Sequence, residues 1–302
     1  MSVAIYRSAA EFRSACDKVR AEGGTLGLVP TMGALHSGHA ALMREANRLT
    51  SHVAVTIFVN PMQFGPNEDY NQYPRTLDQD RALCEAAGVN LLFVPETSEV
   101  YPPGDSTRVR VSGLTNVMCG AVRPNHFEGV TTIVTKLFVL AGTCTAVFGR
   151  KDYQQLKVIE RLVQDLLLPV KIVGYPTLRE TDGLAISSRN AYLSPIDRLR
   201  ACAIVAGLSR AWRTFVVGER RAGHLLACVE QELSAQQLQP QYINLANADT
   251  LDLWNDASTL PDRALLAVAA FCGETRLIDN LVLGEDGDPL SNFKCPVGMT
   301  KP

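Results

Sequence analysis

The segment Val53 to Val59, Val-Ala-Val-Thr-Ile-Phe-Val, is apolar with almost no alternation. A strand with one face in water alternates, so a run of this kind predicts a strand covered on both faces, as in a parallel sheet. Shorter runs of the same character lie at Thr25 to Val29, Asn90 to Val94, Thr145 to Phe148 and Val170 to Gly174. Between them fall helical patterns. Capping-box spacings at Ser8 and Thr76 open helices running to about Arg20 and Ala87, and further helices are expected near His39, over Gly129 to Leu140 and over Gln154 to Leu168. Strands alternating with helices imply right-handed crossovers and an α/β fold: a Rossmann-like, mostly parallel sheet with helices on both faces. Ligands of such sheets bind beyond the carboxyl ends of the strands.

One of those ends organises the chain. Val29 to Leu42 reads Val-Pro-Thr-Met-Gly-Ala-Leu-His-Ser-Gly-His-Ala-Ala-Leu: a strand, a glycine-bearing loop and a helix start. A helix beginning near His39 would aim unpaired backbone N–H groups and the positive end of its dipole at an anion in the loop. Gly33 and Gly38 would admit a close approach, and His36 and His39, three apart, can donate to the same anion. The rival readings are a metal pair, for which no third ligand stands at useful spacing, and a pair of solvated loop histidines. The Gly-x-Gly-x-x-Gly fingerprint of dinucleotide enzymes does not occur here. A second strand end, Phe148-Gly149-Arg150-Lys151-Asp152-Tyr153-Gln154-Gln155, brings a lysine, an acid and two amides. The loop Ile186-Ser187-Ser188-Arg189 adds two hydroxyls and a guanidinium, a suitable phosphate set.

After Arg189 the texture changes to Ala-rich helical sequence from Pro195 to Gln237, followed by strands at Gln241 to Leu245, Ala264 to Phe271 and Thr275 to Leu283. A smaller α+β C-terminal domain is expected. The domains are placed at 1–177, 178–285 and a disordered tail at 286–302, whose Gly, Pro and charge argue against packing. The 302 residues suffice for two cores. A net charge of -2 and a pI near 6.2 give no general attraction for nucleic acid or an anionic membrane. Eight scattered cysteines without a Cys-x-x-Cys pair read as reduced thiols, and no signal peptide or membrane span is recognisable, so a cytoplasmic address is expected.

The chain carries Pro-Thr-Met-Gly-Ala-Leu-His-Ser-Gly-His at 30–39, Ile-Phe-Val-Asn-Pro-Met-Gln-Phe at 57–64, Tyr-Pro-Arg-Thr at 73–76, Arg-Pro-Asn-His-Phe-Glu-Gly-Val at 123–130, Lys-Asp-Tyr-Gln-Gln-Leu at 151–156, Asp-Gly-Leu-Ala-Ile-Ser-Ser-Arg-Asn at 182–190 and Thr-Arg-Leu-Ile-Asp-Asn at 275–280. Together these motifs resemble the pantothenate synthetase family of the nucleotidylyl transferase superfamily, over roughly residues 3 to 283. His-Ser-Gly-His alone is shared with many nucleotidyl transferases; the set is specific.

The resemblance implies ATP-dependent condensation of pantoate with β-alanine through a pantoyl-adenylate, with release of AMP and pyrophosphate. It implies an ATP site at Met32, Gly33, Ala34, Leu35, His36, Ser37, Gly38, His39, Gly149, Arg150, Lys151, Asp152, Leu178, Ile186, Ser187, Ser188 and Arg189. Catalytic roles would fall to His39, His36 and Lys151, and pantoate and β-alanine would be held by Gln63, Gln155 and Asn60. It further implies Mg2+ carried mainly by the ATP phosphates, with Asp152 as an alternative contact, and a homodimer with neither nucleic-acid nor membrane partner. The residue types suit the chemistry. A carboxylate attacking a phosphate needs alignment and charge neutralisation rather than an enzyme nucleophile, and glutamine amides can both donate to and accept from hydroxyls. Two positions depart from the family pattern: Arg150 and Cys119 stand where relatives commonly carry glutamate. Another nucleotidyl transferase, or a nucleotide-binding protein without activity, would share the histidine loop but not need the paired glutamines.

Overall fold

The computed structural model describes residues 2–66, 68–293 and 295–296. In chain order the strands are β1 (Ala4–Tyr6), β2 (Leu26–Thr31), β3 (His52–Ile57), β4 (Leu91–Phe93), β5 (Cys144–Gly149), β6 (Val170–Tyr175), β7 (Gln239–Ala246), β8 (Ala264–Cys272) and β9 (Thr275–Leu283). The helices are α1 (Ala9–Ala21), α2 (Ser37–Leu49), α3 (Leu77–Ala86), α4 (Thr97–Val100), α5 (Met118–Val122), α6 (His126–Ala141), α7 (Tyr153–Asp165), α8 (Pro195–Ala201), α9 (Ala203–Val216) and α10 (Ala222–Ala235). None of the described helices is long and apolar enough to cross a membrane.

Two compact units emerge: Met1–Asn116, Gly120–Arg150 and Gln154–Pro176 in the first, and Val117–Cys119, Lys151–Tyr153 and Thr177–Pro302 in the second. The first holds a parallel six-stranded sheet in the order β1-β4-β3-β2-β5-β6. As the continuous apolar run predicts, Val53 to Ile57 of β3 are all buried. Val29, Val55, Leu92 and Val147 share one cluster with Met43 and Ala46 of α2 and Cys84 of α3. The sheet is doubly wound: β2, β3 and β4 advance in one direction, and β5 then returns to the opposite side of β2. The rim at β2 and β5 is therefore the point where ligands bind in folds of this kind. The edge strand β1 is new relative to the sequence reading, being only three residues long with two of them exposed.

In the second unit, β7, β8 and β9 form an antiparallel sheet in that order. Alternate residues of β8 (Ala264, Leu266, Val268, Ala270 and Cys272) pack with Leu208 and Phe215 of α9 and Leu225 and Val229 of α10 in one core. The tail corrects the expectation of disorder from 286 onward, as far as it is described. Trp212 Nε1 donates to Asp286 O at 2.8 Å, Ser209 Oγ and Arg213 Nε donate to the Asp288 carboxylate at 2.6 and 2.8 Å, and Leu290 and Cys295 pack against Cys202 and Val205. Residues 294 and 297–302 lie outside the described residues. All eight cysteines carry free thiols, and burial pushes those of Cys16, Cys84 and Cys144 up to about 12, where a thiol is a poor nucleophile.

Candidate active site

In the first unit the ladder between β2 and β5 contains only Gly27↔Thr145 and Leu28↔Ala146, although β5 continues to Gly149. Pro30 has no N–H to extend it. The two central strands thus stop pairing short of their carboxyl ends, and Met32 to His36 follow directly. Gly33 and Ala34 both take positive φ, 83° and 50°, which turns the chain sharply toward α2. A buried carboxylate fixes this turn: Asp80 of α3 accepts from Ala34 N at 3.1 Å and Leu35 N at 2.8 Å, and from Thr76 Oγ1 at 3.1 Å.

Helix α2 starts at Ser37, earlier than expected, with His36 as its N-cap. His36 Nδ1 accepts from Gly38 N at 3.1 Å, His39 Nδ1 accepts from His36 N at 3.3 Å, and the rings stack with centroids 4.1 Å apart. Each Nδ1 is an acceptor, so the proton of each neutral ring sits on Nε2. This changes how the loop can meet an anion. The amides of Gly33, Ala34, Leu35, His36 and Gly38 all donate within the protein, Gly33 to Thr31 Oγ1 at 3.2 Å. These five loop amides are therefore engaged within the protein, and the two imidazoles stand beside them at the start of α2.

At the end of β3 the Asn60 side chain is 1% exposed and occupied at both ends. Its Oδ1 accepts from Met62 N and from Tyr101 Oη at 2.8 Å; its Nδ2 donates to Gly129 O at 3.0 Å and Gln63 Oε1 at 3.1 Å. Burial pushes the Tyr101 phenol up, which keeps it a donor. Both ends of the Asn60 amide are thus engaged within the protein, one of its bonds going to the Gln63 side chain. Gln63 Nε2 lies 2.9 Å from Met32 Sδ, so the glutamine and the first residue of the histidine loop meet. Behind them α6 approaches so closely that a Cβ on Gly129 would collide with the Met62 carbonyl, which explains a glycine inside that helix. Arg123 Nη2 donates to Gln63 O at 3.3 Å and His126 Nδ1 is 2.8 Å from the same oxygen, while Arg123 is held by Glu68 at 2.5 and 2.6 Å. The two glutamines of α7 separate by role: Gln154 is buried with its Nε2 on Leu114 O at 2.8 Å, and Gln155 is half-buried.

In the second unit the remaining candidates converge on β9. Leu178 and Ile186 are neighbours on a small hairpin, Ile186 N donating to Leu178 O at 2.9 Å, with Arg179 bridged to Ala185 and Gly183 at the turn with φ of 88°. Arg179 donates to Asp279 at 2.6 and 3.1 Å and to Gly183 O at 3.1 Å, its side chain 7% and that of Asp279 3% exposed. This pair anchors the hairpin. The 3-10 turn Ser188–Tyr192 then begins with Ser187 Oγ accepting from Arg189 N at 3.3 Å, and Asn190 Nδ2 donates to Glu180 and to Ala185 O. Asn280, next to Asp279, donates from Nδ2 to Lys151 O at 2.6 Å, and Tyr153 Oη donates to Ala248 O at 2.9 Å. Adjacent residues of one strand thus hold both the Lys151 segment and the serine-arginine loop. Lys151 Nζ is 3.9 Å from Asp152, whose side chain is about half exposed.

Arg150 opens the short 3-10 turn Arg150–Asp152, and its Cγ would lie 3.3 Å from a Cβ on Gly174, so its stem rests on the edge strand β6. Cys119 is half-buried in the second unit. Among the described residues no three His, Cys, Asp or Glu side chains cluster in a way that could hold a metal ion. Asp80, Asp279 and Asn280 are site residues that the sequence reading misses. The last two sit in the quoted motif at 275–280, but Asp80 gives no local signal for holding the loop, because the loop amides it accepts from lie 45 and 46 residues away.

A doubly wound parallel sheet bearing a histidine-capped helix and a glutamine at its carboxyl rim defines a Rossmann-like nucleotide-binding enzyme. Residues 4–282 match the family model of pantoate-beta-alanine ligase. The pantothenate synthetase of Myxococcus xanthus is 50% identical over 286 residues, covering 94% of this chain and 97% of that protein. The crystal structure of the pantothenate synthetase of Thermus thermophilus superposes with a TM-score of 0.86 at 46% identity, covering 92% of this chain and 98% of that one. The pantoate-beta-alanine ligase of Francisella tularensis, solved in complex with beta-gamma ATP and beta-alanine, gives 0.76 at 32% identity over 95% of this chain and 99% of that one. The chain belongs to the pantoate-beta-alanine ligase family.

Proposed function

We propose that this ligase condenses pantoate with β-alanine to give pantothenate in two steps on one ATP. In the first, a pantoate carboxylate oxygen attacks the α-phosphorus, the bond from that phosphorus to the bridging oxygen breaks, and pyrophosphate leaves. In the second, the β-alanine amine attacks the acyl carbon of the pantoyl-adenylate, the amide bond forms as the acyl–oxygen bond breaks, the nitrogen loses its proton, and AMP leaves. The observation that carries this reading is the 2.9 Å approach of Gln63 Nε2 to Met32 Sδ, which supports a glutamine side chain and the histidine loop acting on one bound pair of substrates.

In this reading Gln63 and Gln155 read the hydroxyls and carboxylate of pantoate, and Asn60 positions Gln63. Met32 to His39 line the ATP site, with the Nε2–H groups of His36 and His39 donating to phosphate oxygens. Neutral donors do not cancel a triphosphate's charge, so that task is assigned to the cations Lys151 and Arg189, with Ser187 and Ser188 as further donors and Gly149, Leu178 and Ile186 lining the nucleotide. Magnesium would travel with ATP, because the hard cation takes phosphate oxygens and needs few protein ligands; Asp152 is the carboxylate at hand. The Francisella complex with beta-gamma ATP and beta-alanine supports the same ligands here. A cytoplasmic homodimer, with a first domain for pantoate and nucleotide and a second carrying the serine-arginine loop, completes the proposal. The test is incubation with ATP, pantoate and β-alanine: AMP and pantothenate appearing only when all three are present supports it, and AMP released equally without pantoate overturns it.

A further inference from the structure

We infer that Asp80 is a positioning residue for the reaction: its buried carboxylate sets the backbone of the histidine loop, and through it the tautomer and placement of both imidazoles. The inference rests on the reading in which His36 and His39 donate to ATP. Asp80 touches neither histidine. It accepts from two successive amides, Ala34 N and Leu35 N, and these immediately precede the N-cap His36. Two N–H groups on one carboxylate fix both the distance and the rotation of a peptide pair, which a single bond would not do. The held conformation is one the chain would not choose freely, since Ala34 has φ of 50° and Gly33 83°. A non-glycine residue in that region is disfavoured and persists only where its surroundings impose it.

The carboxylate is in turn held from its own helix. Thr76 Oγ1 donates to Asp80 Oδ1 at 3.1 Å, so the N-terminal turn of α3 presents one prepared acceptor to the loop. A Cβ on Gly33 would come within 3.0 Å of Asp80 Oδ2 and 3.1 Å of Ile57 Cγ2, so the loop packs closely against the clamp at this glycine. With Leu35 fixed, His36 arrives at the N-cap, and its Nδ1 takes Gly38 N while its own N–H takes His39 Nδ1. That reciprocal pair is what leaves the ring protons on Nε2. Loosening the loop at residues 34 and 35 would free His36 from the cap, and both rings would lose the bond that selects their tautomer.

The experiment compares the full-length enzyme with Asp80→Asn and Thr76→Val. An asparagine still accepts through one atom but offers N–H groups to an amide that also donates, so one loop bond is lost. Three readouts are taken: nitrogen-15 NMR of the imidazoles, hydrogen exchange of the Ala34 and Leu35 amides, and steady-state kinetics. The wild type should show the Nε2–H pattern for both histidines and slow exchange at residues 34 and 35. Asp80→Asn should show mixed tautomers, faster exchange and a kcat lower by about 10- to 100-fold, the scale of a misplaced but present catalytic group, with KM for β-alanine within about twofold. Thr76→Val, which keeps the carboxylate and removes one neighbour, should move all three readouts the same way by a smaller amount and covers the case in which Asp80→Asn does not fold. Unchanged imidazole spectra and exchange in a folded variant overturn the inference, as does a kcat within about twofold. If His36→Ala and His39→Ala leave the rate intact while the spectra respond as stated, the clamp stands and the catalytic reading of the histidines falls.

Discussion

Asp279→Asn should weaken the second unit measurably, and its cost follows from the surroundings. Arg179 and Asp279 are 7% and 3% exposed at the side chain, and Arg179 keeps only the Gly183 carbonyl, at 3.1 Å, among its described partners if the carboxylate is lost. Removing one member of a buried pair costs about 3–5 kcal/mol, because the other charge remains desolvated. The asparagine can still accept through one oxygen, which places this variant near the lower end, about 3 kcal/mol. The assay is guanidinium unfolding followed by tryptophan fluorescence, since both tryptophans, Trp212 and Trp254, lie in the second unit. The midpoint should fall with little change in slope. The double variant Arg179→Met, Asp279→Leu should recover most of the loss, because an apolar pair has no charge to desolvate. A loss below about 1 kcal/mol, against the 3–5 kcal/mol typical of such pairs, would refute the reasoning; so would a double variant no better than the single.

Lys151→Ala should slow adenylate formation by about 10²- to 10³-fold in single-turnover measurements while pantoate affinity is retained, the loss of one charge-stabilising donor. Arg150→Glu should change KM for ATP by about twofold or less, because its stem rests on Gly174 of the edge strand and a half-buried surface charge is still screened by solvent; a tenfold rise that shrinks with salt would place Arg150 in the nucleotide site. Glu68 titrates below the ordinary glutamate range: burial alone would raise it, but the hydrogen bonds and charge of Arg123 outweigh that. A folded-state value below the unfolded one, about 4.3, gives stability that is present above that pH and is lost as pH falls toward the folded value. Midpoints measured from pH 6 down to 3 should therefore decline less steeply in Glu68→Gln, and parallel declines would contradict the assignment.

The parallel sheet is legible because β3 announces its double burial in five consecutive buried residues. What fails are inferences from hydroxyls and polarity taken locally. Ser8 and Thr76 have capping-box spacing, yet neither caps its helix, and the Thr76 hydroxyl turns to Asp80 instead. Histidine is not a usual N-cap, so a reading from sequence starts α2 two residues after its true beginning at Ser37. Asn60 reads as a ligand contact because it is polar at a strand end, but spacing does not report that its amide points into protein with both ends bonded. The tail misleads for the opposite reason. Its acids look like solvated charge, whereas Asp288 finds Ser209 and Arg213, 79 and 75 residues earlier. Motif residues that carry chemistry are visible in the sequence; the residues that hold them in place are visible only through contacts distant in the chain.

Exchange of labelled pyrophosphate into ATP tests the two-step reaction most directly. With pantoate present and β-alanine absent, label should enter ATP, because the adenylate forms reversibly before the amine arrives. Exchange should vanish without pantoate and should fall sharply in Lys151→Ala and His39→Ala. Label entering ATP only when β-alanine is also present would contradict the pantoyl-adenylate and with it the roles assigned to the histidine loop.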